Sequence, residues 1–274
     1  MKQLTRNYIL LFIGFFIINT HSFAEEINWE RGPKTQNILN LATIFLPEDF
    51  VALGIEETDK YLKLSENIPS GSDNYYGPNS DLWDGYFSFN KVGYIKDDDD
   101  IDNDELLDMM KNGMKSSNKY RLEKGWGTMT LLGWEYQPTY EANSKRLSWA
   151  FLLLDDDSNT KIINYETRIL GRNGVMSVTL VTSPENLNRS IIELNNSLST
   201  FKFNSGERYS EYKKGDRVAE FGLAALIAGG AAAVASKKGL WAILMGLLIA
   251  AKKFAFVIII GLFAGIASLF KRKK

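Results

Sequence analysis

Residues Asp97 to Glu105, DDDDIDNDE, hold six Asp and one Glu in nine positions. Carboxylates at that density could chelate an oxygen-seeking cation such as Ca²⁺ or Mg²⁺, or supply the acid and base of a proton-transfer reaction. A helix–loop–helix calcium loop needs Gly at its sixth position and a carboxylate at its twelfth. Counted from Asp98 those places hold Asn103 and Met109, and counted from Asp100 they hold Glu105 and Lys111, so that motif is absent. An irregular cation site on Asp97, Asp98, Asp99 and Asp100 stays open beside a plainer account, a solvated junction between strand and helix. Asp102, then Glu105 three residues later, then Leu106, Leu107, Met109 and Met110, has the form of a capping box on an amphipathic helix running to about Lys119.

A second set of polar side chains falls on one strand. Lys161 to Arg172 and Val175 to Thr182 alternate with period 2 and are joined by Asn173-Gly174, a strong hairpin signal. With a two-residue turn, Arg172 faces Val175 and Arg168 faces Thr179. Tyr165, Ile169, Met176, Val178 and Leu180 then share the core face, and Asn164, Glu166, Arg168 and Arg172 share the other. Two guanidiniums two pleats apart could hold a carboxylate or an anionic glycan. The competing account is a solvated face on which Glu166 pairs with Arg168 or Arg172.

Residue types exclude much else. The chain has no cysteine, and its one histidine, His21, lies in a segment that reads as a cleaved leader. Disulfides, Cys or His zinc ligands, and Ser-His or Cys-His nucleophiles are therefore ruled out of the mature body. No metal motif and no cofactor motif is present, and none is expected.

The leader consists of Lys2 and Arg6, the apolar run 8–18, and Ser22-Phe23-Ala24, and predicts a signal peptide over 1–24. Of the 32 Lys and Arg, two lie in the leader and eight beyond residue 220, leaving 22 against all 33 acids in residues 25–220. A body near −11 argues against nucleic acid as a partner. Residues 221–274 hold no acid and read as a hydrophobic anchoring tail. Its firm span is FAFVIIIGLFAGIASLF, 254–270, between Lys252-Lys253 and the closing KRKK. Those cations predict a cytoplasmic end, an inner (cytoplasmic) membrane location, a periplasmic or extracytoplasmic body, and the lipid bilayer as a partner.

Within 25–220 the patterns predict a strand at 42–46, a short helix at 56–66, a surface loop at 73–81 and one or two strands across 83–94. Strands follow near 128–136 and 147–154, flanking a pattern broken by Pro138 and Asn143. SPENLNRSIIELNNSL, 183–198, puts Leu187, Ile191, Leu194 and Leu198 on one helix face, and 201–203 suits an edge strand. This order implies an α+β layered domain with a mostly antiparallel sheet and about three helices. By fold-level analogy, the last helix leading into a short Phe-containing strand is similar to the sandwiches of the photosystem II extrinsic protein type.

GYIKDDD (93–99), GWEYQPTYEANSKRLSWA (133–150), NYETRILGRNG (164–174) and GDRVAEFGLAALIAGG (215–230) together resemble the bacterial membrane-anchored family of domain of unknown function 2167. The likeness runs from about Gly32 to Gly230. It departs at Thr139, where the family tends to have His, and over residues 66–82. The resemblance implies a signal peptide, an exported domain and a C-terminal anchor. The group label implies a regulator of amylopullulanase, and no catalytic residues come with it.

Three functions fit these features. The favoured one is a non-enzymatic binding or regulatory module that engages an envelope protein or glycan. A carboxylate-based glycan hydrolase is the alternative: Trp134, Tyr140 and Trp149 would offer stacking surface near Glu135, Glu141 or Asp155, with two acids some 5–10 Å apart. A concave pocket holding paired carboxylates of weakened acidity would mark the enzyme. The third is a structural subunit of a membrane complex, packed through Gly229 and Gly230.

Overall fold

Apolar and polar side chains alternate along much of residues 146–170 and place that stretch in antiparallel strands. The computed structural model describes residues 27–97 and 103–227. Its strands are β1 (Glu30–Arg31), β2 (Lys34–Ile38), β3 (Ala42–Leu46), β4 (Phe50–Leu53), β5 (Asn74–Pro78), β6 (Asp84–Asn90), β7 (Met129–Glu141), β8 (Arg146–Asp155), β9 (Thr160–Leu170), β10 (Val175–Thr182) and β11 (Lys202–Phe203). Its helices are α1 (Ile55–Leu64), α2 (Asn103–Glu123), α3 (Leu187–Leu198) and α4 (Leu223–Ile227). Eight strands form one antiparallel sheet in the order β1-β4-β5-β6-β10-β9-β8-β7, and β11-β3-β2 form a second. The α+β class and the mostly antiparallel sheet are as expected, with four helices rather than three.

Two apolar clusters sandwich the large sheet. On one face Tyr165, Ile169, Met176, Val178 and Leu180 meet Ile38, Ile44 and Leu46 of the small sheet and Leu187, Leu194 and Leu198 of α3. On the other, Leu147, Trp149, Phe151 and Leu153 of β8 meet Leu106 of α2 and Leu223, Leu226 and Ile227 of α4. Burying each such side chain contributes about 1.5–3 kcal/mol, so the helices are held by the sheet more than by their own propensities.

Four expectations need correcting. The β9–β10 register is displaced by two residues: Leu170 faces Val175, Arg168 faces Ser177, and Glu166 faces Thr179. The connection is therefore 171–174, because Arg172 donates its backbone N–H to the Glu207 carbonyl and cannot extend the ladder. An even displacement leaves each residue on its expected face. Second, that polar face is covered: the Arg168 and Glu166 side chains are only 15% and 12% exposed.

Third, residues 74–78 are no surface loop but β5, buried at every position, between β4 and β6. Tyr75 and Tyr76 supply the apolar area that outweighs the breaker Gly77-Pro78, and Pro78 falls at the strand's end. Fourth, β7 continues through Pro138 to Glu141 with three register shifts against β8. It is the outermost strand, so the missing proline N–H costs no ladder bond.

The leader 1–24, Asp98 to Asp102, Gly229, Gly230 and the span 254–270 lie outside the described residues. Among the described residues no helix is long and apolar enough to cross a membrane.

Candidate functional site

The polar ladder on β9 is satisfied from within. Arg168 Nη1 donates to Glu166 Oε2 at 2.8 Å, and the same oxygen accepts the Thr179 hydroxyl at 2.9 Å. The Arg168 guanidinium also stacks 4.8 Å from the centre of the Trp149 ring. Arg172 turns elsewhere: its Nε and Nη2 grip Asp216 at 2.7 and 2.8 Å. That fork holds the Asp216 carboxyl down at about 2. The two guanidiniums are thus each engaged by the chain's own acids, and Asn164 lines a cleft.

Of Asp97 to Asp100, Asp97 is the one among the described residues. Its Oδ2 accepts Lys145 Nζ and the Tyr140 hydroxyl, both at 2.7 Å, and its Oδ1 lies 3.0 Å from the Tyr209 hydroxyl. The Lys145 hydrogen bond, opposed by burial and aided by the two phenols, holds its carboxyl down at about 2. Tyr209 stacks on Tyr94 at 4.4 Å, and Tyr94 pairs in parallel with Val218. The structure therefore brings Asp97 and Tyr140 together as a latch that ties the segment after β6 to the β7–β8 turn. Asp98 and Asp99 lie outside the described residues. Trp134 does not join them; it stacks face to face on Phe151 at 4.7 Å.

The acids named for hydrolysis beside Trp134 and Tyr140 do not converge. Glu141 takes the Ser144 hydroxyl within its own turn, and Asp155 caps the β8–β9 turn by accepting the Asp157 and Ser158 N–H groups. Among the described residues no group of three or more His, Cys, Asp or Glu is placed to hold a metal ion.

The built site lies at the other end of the sheet and was not foreseen. Strand β6 begins at Asp84, directly after Trp83, which anchors in the core at 2% exposure and donates its indole N–H to Glu193 of α3. That anchoring aims the Asp84 carboxylate at two phenols. Tyr75 donates to Oδ1 at 2.7 Å, and the Tyr61 hydroxyl lies 3.4 and 3.3 Å from the two oxygens. Trp29, Tyr61 and Tyr75 meet edge to face with centroids 5.2–5.4 Å apart, and Tyr86 joins Tyr75 at 5.7 Å. Burial raises the Asp84 carboxyl against the pull of its two phenol bonds. Burial and then the Asp84 charge push Tyr61 up to about 12 and Tyr75 higher, so both phenols stay protonated donors.

Asp84 stands between two clefts. The first, about 490 Å³, is lined by Trp29, Tyr61, Tyr75, Asp81, Asp84 and Lys161 among others. The second, about 390 Å³, lies between the sheet, α2 and the end of α1, and includes Asp73, Asp84, Asn164 and Thr179. Asp73 is also raised by burial. The only sequence signal for this site was Asp84 at the head of an aromatic strand, WDGYF, with its partners 9 and 23 residues upstream.

The chain matches the family described as "Protein of unknown function (DUF2167)" over residues 30–263. No curated protein matches it. Among solved structures it is similar to the solution structure of cyanobacterial PsbP (CyanoP) from Synechocystis sp. PCC 6803. That similarity has 12% identity and a TM-score of 0.38, and covers 68% of this chain and 99% of that one.

Proposed function

The chain belongs to the DUF2167 family, and we propose that its folded body is a non-enzymatic module that binds an envelope glycan in the cleft built on Asp84. The carrying observation is the composition of that cleft: aromatic rings for sugar faces to stack on, beside carboxylates and hydroxyl-bearing side chains for sugar hydroxyls. The mature body holds no thiol or imidazole for covalent chemistry. In this reading the C-terminal tail anchors the module in the inner membrane, the body faces the periplasm, and any regulatory role implied by the family label works through occupancy of the cleft. The test is co-sedimentation of the detergent-solubilised full chain with purified peptidoglycan, plus titration with N-acetylglucosamine oligomers. Retention that falls about tenfold or more in Trp29→Ala supports the reading. No retention by either glycan refutes it.

One observation favours glycan hydrolysis as a second reading. Asp73 and Asp84 line one concave cleft, and burial weakens the acidity of both. Release of new reducing ends from peptidoglycan by the wild type, absent in Asp73→Asn and Asp84→Asn, would favour hydrolysis over simple binding.

A further inference from the structure

Asp84 has an electrostatic peculiarity that glycan binding alone leaves unexplained. Its carboxylate is held by two phenols, yet among the described residues it takes part in no ion pair. Phenol hydroxyls supply dipoles and no counter-charge, and a desolvated carboxylate without one is costly to keep. The cleft it faces has Asp81 in its lining as well, with Lys161 as its one basic residue. Electron-rich ring faces attract cations, above all organic ammonium groups. Acid and rings thus share one electrostatic demand.

We propose that the ligand of this cleft carries an organic ammonium group that pairs with Asp84 beside the rings of Tyr61, Tyr75 and Trp29. The inference rests on the glycan reading above and narrows it: the site selects glycans with free amino groups over their N-acetylated counterparts. Acetylation removes the charge and adds bulk where the cation would sit. No bond is made or broken.

The experiment compares fully N-acetylated with de-N-acetylated glucosamine oligomers of equal length, titrated into the full chain in detergent at a pH where the free amines are protonated. De-N-acetylated oligomers are expected to bind about tenfold more tightly. Asp84→Asn is expected to erase that preference, read as the ratio of the two affinities. Because the body is acidic, a sugar-free polyamine serves as the control for unspecific attraction. Monomeric glucosamine should also displace the bound oligomer from the wild type at lower concentration than N-acetylglucosamine, a comparison that needs no variant. Equal affinity for the two series overturns the ammonium inference and leaves glycan binding standing. A preference that survives Asp84→Asn, or is matched by the polyamine, also overturns it. Binding of neither series removes both readings.

Discussion

Two carboxylates in this protein are each held by a pair of tyrosines, and they end in opposite electrostatic states. Asp97 is grasped by Tyr140, Tyr209 and Lys145 and is held at about 2. Asp84 is grasped by Tyr61 and Tyr75, has no ion-pair partner among the described residues, and is raised by burial. A cation beside the one and deeper burial of the other make the difference. With the cation the cluster is a finished structural joint; without one the cluster is an acceptor that an outside group can complete. Buried polar networks work either way, according to whether every charge has its partner.

Removing each acid should sharpen the contrast. The largest effect is expected for Asp97→Ala, which strips Lys145, Tyr140 and Tyr209 of a common acceptor: a loss of about 2 kcal/mol in chemical denaturation. Next comes Tyr75→Phe, which leaves Asp84 with only the longer Tyr61 contact, costs about 1 kcal/mol, and raises the Asp84 carboxyl further in a proton-NMR titration. The smallest and most diagnostic is Asp84→Asn, expected to be neutral or to gain a few tenths of a kcal/mol, since it removes a buried charge that has no counter-ion. An equal loss from Asp97→Ala and Asp84→Asn would erase the distinction between the two clusters.

The pH dependence carries the same opposition. Asp97, depressed in the fold, contributes stability that is present above the unfolded carboxylate pKa of about 4 and is lost as pH falls toward about 2. Asp84, raised in the fold, contributes most below that unfolded value, and its contribution is lost as pH rises through its folded pKa. Melting temperatures across the acid range should therefore fall less steeply in Asp97→Asn and more steeply in Asp84→Asn than in the wild type.

What the sequence disclosed follows its periodicities. The face assignment on β9 and β10 and the buried face of α3 are local, repeating patterns, and they match the structure. The hairpin register escaped because it is decided by Glu207, 35 residues beyond Arg172, whose carbonyl takes the Arg172 N–H. Strand β5 escaped because two tyrosines outweighed a Gly-Pro breaker. Asp97 stood out only through its acidic neighbours, and nothing local pointed to Lys145. Asp84 offered only its place at the head of the aromatic strand WDGYF: its meaning lies in Tyr61 and Tyr75, which three-dimensional pairing alone brings near.

The stitch between Tyr94 and Val218, secured by the Tyr94 N–H to the Arg217 carbonyl, the Ala219 N–H to the Tyr94 carbonyl and the Arg172–Asp216 fork, has a mechanical side. Tension arriving from the C-terminal side meets α4, packed against β8, and then this seam. The seam and the packed α4 after it thus stand in series between the C-terminal side and the Asp84 cleft at the far end of the sheet.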